Sequence, residues 1–236
     1  VLALVIVRAL WTFVTPSTSG DWVPELSRLP LARIQGDRVE ISNVRNAVYA
    51  GPDACEPRWE TRRFDLNALR RVDFVVEPFA DWRGPAHTFL TFGVAGGEHI
   101  AVSVETRRER GEAYGPVLGL FRRYELAYVV GDERDLIGLR ANVRRHPVHL
   151  YPVRATPQQA RALFVSMLLR ANRLAEAPEF YNMLSNTCTT NIVRHLTELT
   201  GKPLPFDLRV VLPGYADGLA LEMGLIDAEG TVDELR

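Results

Sequence analysis

The chain has 236 residues, 47% of them hydrophobic and 24% charged, with 28 Lys and Arg against 29 Asp and Glu. That length supports one sizeable core rather than several, and a net charge of −1 excludes the global basic field that nucleic-acid binding requires. The two cysteines, Cys55 and Cys188, form neither a CxxC pair nor a zinc pattern, so no metal or other cofactor is expected.

In chain order, residues 1–14 read VLALVIVRALWTFV. This apolar run resembles the end of a membrane segment or anchor helix, although it is shorter than the roughly 20 residues that span a bilayer and lacks a secretory cleavage motif. Because the sequence opens at Val1, a fragment starting inside the last of one or more transmembrane helices is expected; a short amphipathic helix packed on the domain is the alternative. Residues 15–32, with Pro24 and Pro30, read as a linker, and residues 33–236 as one domain. Apolar/polar alternation predicts a strand over Arg38–Tyr49, with further strands over Arg58–Leu66, Val72–Phe79, His87–Val94, His99–Thr106 and Tyr124–Val130. Thr156-Pro157 supplies an N-cap and a first-turn proline for a helix through QQARALFVSMLLRANRLAEA. A second helix is predicted from Asn186/Thr187 to a stop at Gly201, with Pro203 just beyond. Strands first and helices afterwards predict an α+β domain built on an antiparallel sheet with packed helices. The arginine pairs Arg107/Arg108, Arg122/Arg123 and Arg144/Arg145 read as solvated surface rather than a phosphate or lipid head-group site.

The segment YNMLSNTCTTNIVRHLTEL puts Cys188 in the first turn of the second helix. Free N–H groups and partial positive charge at a helix N-terminus favour a thiolate and can hold an oxyanion, so Cys188 stands where a nucleophile would. Cys188, Ile192 and Leu196 also recur every four residues along one apolar stripe, and a small buried core cysteine is the alternative reading. A thiol nucleophile needs a base. His195 lies seven residues along the same helix, roughly 10 Å away at 1.5 Å per residue, which excludes it as direct partner. His146 and His149 flank a proline in a basic segment and read as surface, and His99 reads as a hairpin end. His87 remains. If Ala95, Gly96 and Gly97 form a three-residue loop, His87 stands opposite Glu105, on a face shared with Ser103 and opposite to Leu90, Phe92, Ile100, Val102 and Val104. Glu105 is then placed to fix the imidazole tautomer, and from that face the imidazole is expected to point toward the helix that carries Cys188. An ordinary cross-strand polar pair is the alternative, and a two-residue loop would remove the pair altogether. A disulfide between Cys55 and Cys188 is a further possibility in an oxidising compartment.

The stretches RVEISNVRNAVY, RWETRRFDL, AHTFLTFGV, SVETRRERGEAY, YVVGDERDLIGLR and YNMLSNTCTTNI together resemble the Lnb N-terminal periplasmic domain family, from Arg33 to Leu199. The family is similar to circularly permuted papain-like (NlpC-type) thiol enzymes, in which the histidine strand precedes the cysteine helix, as His87 precedes Cys188 here. Lnb is a bacterial acyltransferase that moves an acyl chain from the diacylglyceryl group of a lipoprotein to the amino group of its N-terminal cysteine. The resemblance therefore implies Cys188 as acyl acceptor and His87 as general base, while Glu105 rests on the hairpin register. It implies an envelope acyltransferase or thioester-forming hydrolase acting on a lipid or lipoprotein at a membrane surface, in the periplasm and anchored to the inner membrane, with no nucleic-acid partner. A cysteine peptidase or amidase acting on cell-wall peptide, and a non-catalytic envelope binding module, are the alternatives.

Overall fold

A computed structural model describes residues 15–51, 54–113, 115, 118–204 and 207–236. The apolar run over residues 1–14 lies outside the described residues. Ten strands follow in order: β1 (Leu31–Gln35), β2 (Arg38–Arg45), β3 (Val48–Gly51), β4 (Ala54–Glu56), β5 (Trp59–Asp65), β6 (Leu69–Pro78), β7 (Ala86–Val94), β8 (His99–Arg107), β9 (Glu125–Gly131) and β10 (His149–Pro152). The main sheet runs β1-β2-β9-β8-β7-β6-β10, with β5 also on β2, and β3 pairs with β4 apart from it. Pairing is antiparallel except for one parallel bridge, Arg45 to Gly131, that joins β2 to β9.

Two faces of this sheet are covered, which explains why β6 to β9 read as nearly unbroken apolar runs. On one face pack the helices α2 (Pro157–Glu176) and α3 (Cys188–Thr200), over a core that includes Phe74, Leu90, Phe92, Val102, Phe164 and Ile192. Phe164 sits at its centre, fully buried, with its ring centroid 4.9 Å from that of Phe92. The opposite face carries a smaller cluster of Leu26, Val75, Phe89, Ala101, Val129 and Leu136. Leu136 comes from α1 (Glu133–Gly138), which runs directly into one π turn over Leu139–Val143.

The expected caps are present. Thr156 and Gln159 close a capping box on α2, Thr187 caps α3, and Gly201 ends it with φ of 66°. The fold is therefore a mixed α+β sheet with packed helices. The stretch expected as a linker has little regular structure yet lies against the domain: Trp22 and Leu26 are buried, and the Val23 N–H donates to the Arg108 carbonyl at 3.0 Å. Arg107, expected at the surface, is instead buried over the Trp22 ring and donates from Nε to the Leu26 carbonyl at 3.0 Å. The carbonyls that hold it, those of Thr18, Leu26 and Ser27, lie 80 to 89 residues away in the chain, so the arginine pair itself gives no sign of its burial.

Candidate active site

The β7–β8 hairpin turns through Gly96 and Gly97, both with positive φ, and the Val94 N–H donates to the Glu98 carbonyl at 2.8 Å. Its register, Phe89 with Ser103 through Gly93 with His99, is the three-residue-loop register. Beyond Phe89 and Ser103 the ladder to β8 stops, whereas the ladder between β6 and β7 continues to Pro78 and Ala86. The two strands thus part at Thr88 and His87, and the N-terminus of α3 lies at that opening. The backbone N–H and hydroxyl of Thr88 both interact with the Cys188 sulfur, and the Thr88 hydroxyl lies 2.9 Å from that of Thr189.

This arrangement corrects one expectation. Helix α3 does not cover the face that carries His87; Ile192 packs with Leu90 and Val102 on the other face. Cys188 meets His87 at the end of the hairpin, through the gap that the parted strands leave.

Cys188 is buried in the first turn of α3, behind the reciprocal cap formed by Thr187 and Thr190. Its own N–H and that of Thr189 make no hydrogen bond among the described residues, as the first amides of a helix must unless an outside acceptor is supplied. Burial raises the thiol, but the hydrogen bond and charge of His87, together with Thr88, outweigh it and bring the thiol down to about 7.

His87 Nε2 lies 2.7 Å from Ser103 Oγ and 3.2 Å from Glu105 Oε1, and the Ser103 hydroxyl donates to Glu105 Oε1 at 2.7 Å. A carboxylate can only accept, so the serine proton is committed to Glu105 and Nε2 carries the proton it gives to serine. Nδ1 is left for the thiol. Burial opposes the protonated ring, yet the Glu105 charge and the thiol override it and push the imidazole up to about 9. Glu105 is itself held well below the usual carboxylate range: burial would raise it, but His87 and Arg140 lower it further. The lowered thiol and the raised imidazole both favour the thiolate–imidazolium form of the pair.

A second layer supports this pair. Arg140, on the π turn, is buried and donates from Nη2 to Glu105 at 2.9 Å and from Nε to Glu77 at 2.6 Å. Glu77 pairs with His87 across β6 and β7, so Glu77, His87 and Glu105 form a row over three adjacent strands. His146 Nδ1 lies 2.8 Å from Glu77 Oε1. These groups and Cys188 line one cleft of about 610 Å³, together with Glu25, Arg45, Arg108 and Arg144.

The sequence placed His87, Glu105 and Cys188 in the site, and the structure brings all three together. Ser103, seen only as a neighbour on the same face, shares Nε2 with Glu105. His146, expected at the surface, stands on the cleft wall because Glu77 holds it. Arg140 and Glu77 were missed. For Glu77 a signal existed: it is one of two carboxylates, with Asp73, in the otherwise apolar strand VDFVVEP. Arg140 had none, since its partners lie far away in sequence. His195 is a buried structural residue, between Tyr128 Oη and Ser166 Oγ at 2.8 Å each, and burial pushes its imidazole down to about 4. His99 ends the hairpin against Glu133. Both cysteines are free; Cys55 also borders the cleft, and burial followed by the charge of Glu25 pushes its thiol up to about 11. Among the described residues no group of three or more His, Cys, Asp and Glu is placed to hold a metal. A separate groove of apolar side chains, including Leu90, Ile192, Leu196 and Leu219, begins at Thr189 on the opposite face of the sheet.

Fold and site together define an α+β domain with a thiol, an imidazole and a carboxylate in contact. The chain belongs to the family described as the Lnb N-terminal periplasmic domain, which matches residues 56–214 and so spans the site residues His87, Ser103, Glu105, Arg140 and Cys188. The family description places such a domain in the periplasm. No curated protein and no solved structure shows significant similarity to the chain. Among the described residues no helix is long and apolar enough to cross a membrane.

Proposed function

We propose that this domain transfers acyl groups through a thioester on Cys188, with a lipid or lipoprotein at the periplasmic membrane surface as donor. The observation that carries the reading is geometric: the Cys188 thiol sits in the first turn of a helix, hydrogen-bonded to an imidazole that Ser103 and Glu105 hold from its other side, an arrangement that favours a thiolate–imidazolium pair and for which a merely structural cysteine has no use. The thiolate adds to the ester carbonyl, and the free N–H groups of Cys188 and Thr189 are placed to receive the oxyanion. His87 then gives its proton to the departing alkoxide as the C–O bond breaks. An amine, alcohol or water then gives up a proton as it bonds to the acyl carbon, the C–S bond breaks to return the thiolate, and one proton restores the His87 imidazolium. Ser103 and Glu105 keep the ring in one tautomer and stabilise its charge.

The order of histidine strand before cysteine helix favours kinship with circularly permuted papain-like enzymes. Family membership supports the lipoprotein substrate, and the apolar run over residues 1–14 would keep the site near the inner membrane. The charged lining of the cleft favours a second reading, hydrolysis of cell-wall peptide. Product analysis separates the two: incubation with a diacylglyceryl lipopeptide should yield a lyso form and an acylated amine or free fatty acid. Cleavage of a wall muropeptide amide bond with the lipopeptide left untouched would overturn the lipid reading.

A further inference from the structure

We propose that His146 is a second acid–base residue of this cleft, acting on the acyl acceptor while His87 serves the thiol. The inference rests on the thioester reading. Its basis is geometric. His146 Nδ1 lies 2.8 Å from Glu77 Oε1, and the carboxylate can only accept, so the ring proton sits on Nδ1 and Nε2 presents a lone pair. The ring is 31% exposed while Glu77 is 1% exposed, so the orienting carboxylate is buried and the free edge of the ring borders the cleft. The ring is fixed from behind as well: the His146 N–H donates to the Arg140 carbonyl at 3.0 Å, and Arg140 holds the other oxygen of Glu77 from Nε at 2.6 Å.

His146 thus repeats the arrangement of His87, an imidazole oriented by a carboxylate, and the two carboxylates share Arg140. His87 directs Nε2 to Ser103 and Glu105 and also hydrogen-bonds the Cys188 sulfur, for which Nδ1 is the nitrogen left. In the first half-reaction its proton goes to the leaving alkoxide. Glu77 and His87 are cross-strand neighbours, so His146, held on Glu77, stands on the wall of the same cleft as Cys188 and His87, open to an acceptor that enters there. In the second half-reaction the acceptor N or O bonds to the acyl carbon, the C–S bond breaks with its electron pair returning to sulfur, and the acceptor proton moves to His146 Nε2. That proton leaves to solvent, and His87 regains one from solvent to restore the ion pair.

The test separates the half-reactions in the full chain with p-nitrophenyl butyrate as donor, following acyl-Cys188 by intact mass after acid quenching. His146→Gln is the informative variant, since its amide N–H can still donate to Glu77 while no base remains. We expect the adduct to form at the wild-type rate and to persist about 10²-fold longer, the usual order for a lost general base, with iodoacetamide labelling of Cys188 unchanged. An adduct of equal lifetime in both proteins would overturn the proposal and leave the thioester standing. Equal slowing of formation and decay would also overturn it, marking His146 as a support of the network. No adduct in either protein would overturn the thioester reading itself.

Discussion

Replacing His87 by alanine removes the cation that faces the Cys188 sulfur, and the consequence can be worked out from the site. With the imidazole in place the thiol is held at about 7, so half of it is thiolate at pH 7. Without it, burial acts against the thiolate with Thr88 as the remaining donor, and the thiol returns at least to the ordinary value of about 8.5, which leaves about 3% thiolate at pH 7. The thiolate population falls about 15-fold. The alkylation rate falls less, because a more basic thiolate attacks faster, and a Brønsted slope of about 0.4–0.5 recovers about four- to sixfold. The midpoint of the pH profile is therefore the diagnostic quantity, not the rate at one pH. Iodoacetamide labelling, read on the Cys188 peptide by mass spectrometry across pH 5 to 10, should give a midpoint near 7 in the wild type and above about 8.5 in His87→Ala. Coincident midpoints in the two proteins would refute the ion pair.

Ser103→Ala should move that midpoint less than Glu105→Gln, since serine loss leaves the carboxylate 3.2 Å from Nε2, whereas the amide removes the charge that stabilises imidazolium; the same labelling profile checks the order. Glu105 also links stability to pH. Its folded value lies well below its ordinary 4.5, so its contribution is full above that value and lost as pH falls through the folded one; the Tm gap between wild type and Glu105→Gln should accordingly narrow from pH 7 to pH 3. Cys55→Ser should fold and retain thioester formation, and Cys55, pushed up to about 11, should label far more slowly than Cys188 at pH 7 in the native protein. Asp135→Ala strips the buried Arg45 of a two-pronged partner at 2.8 and 3.0 Å and should cost about 3–5 kcal/mol in urea unfolding; a loss under 1 kcal/mol would show that the site relaxes around the arginine.

Strands β6 to β9, helices α2 and α3 and the pairing of His87 with Glu105 were legible because each is written locally. Apolar runs mark the strands, Thr156-Pro157 and Thr187 mark the helix starts, and Gly96-Gly97 sets the hairpin register. Strand β10 and the π turn that carries Arg140 were not, because their partners lie elsewhere in the chain; His149–Pro152 becomes a strand by pairing with β6. Leu31–Gln35 instead pairs with β2 across the tight Gly36-Asp37 turn, a local signal that the reading of residues 15–32 as a linker overlooked. The approach of α3 was misjudged for a related reason. Register says which side chains share a face, but it does not say where two strands part, and the opening at Thr88 is what lets a helix on one face deliver its cysteine to a histidine on the other. His146 looked like a surface residue because nothing near Pro147 reveals the buried carboxylate of Glu77.

The central claim, that Cys188 carries the acyl group, is tested most directly by trapping the intermediate. The wild-type chain mixed with a diacylglyceryl lipopeptide and quenched in acid should gain the mass of one acyl chain on the Cys188 peptide, removable by neutral hydroxylamine and absent from Cys188→Ala. Turnover of the lipopeptide by Cys188→Ala at the wild-type rate, or acylation mapped to another residue, would contradict it.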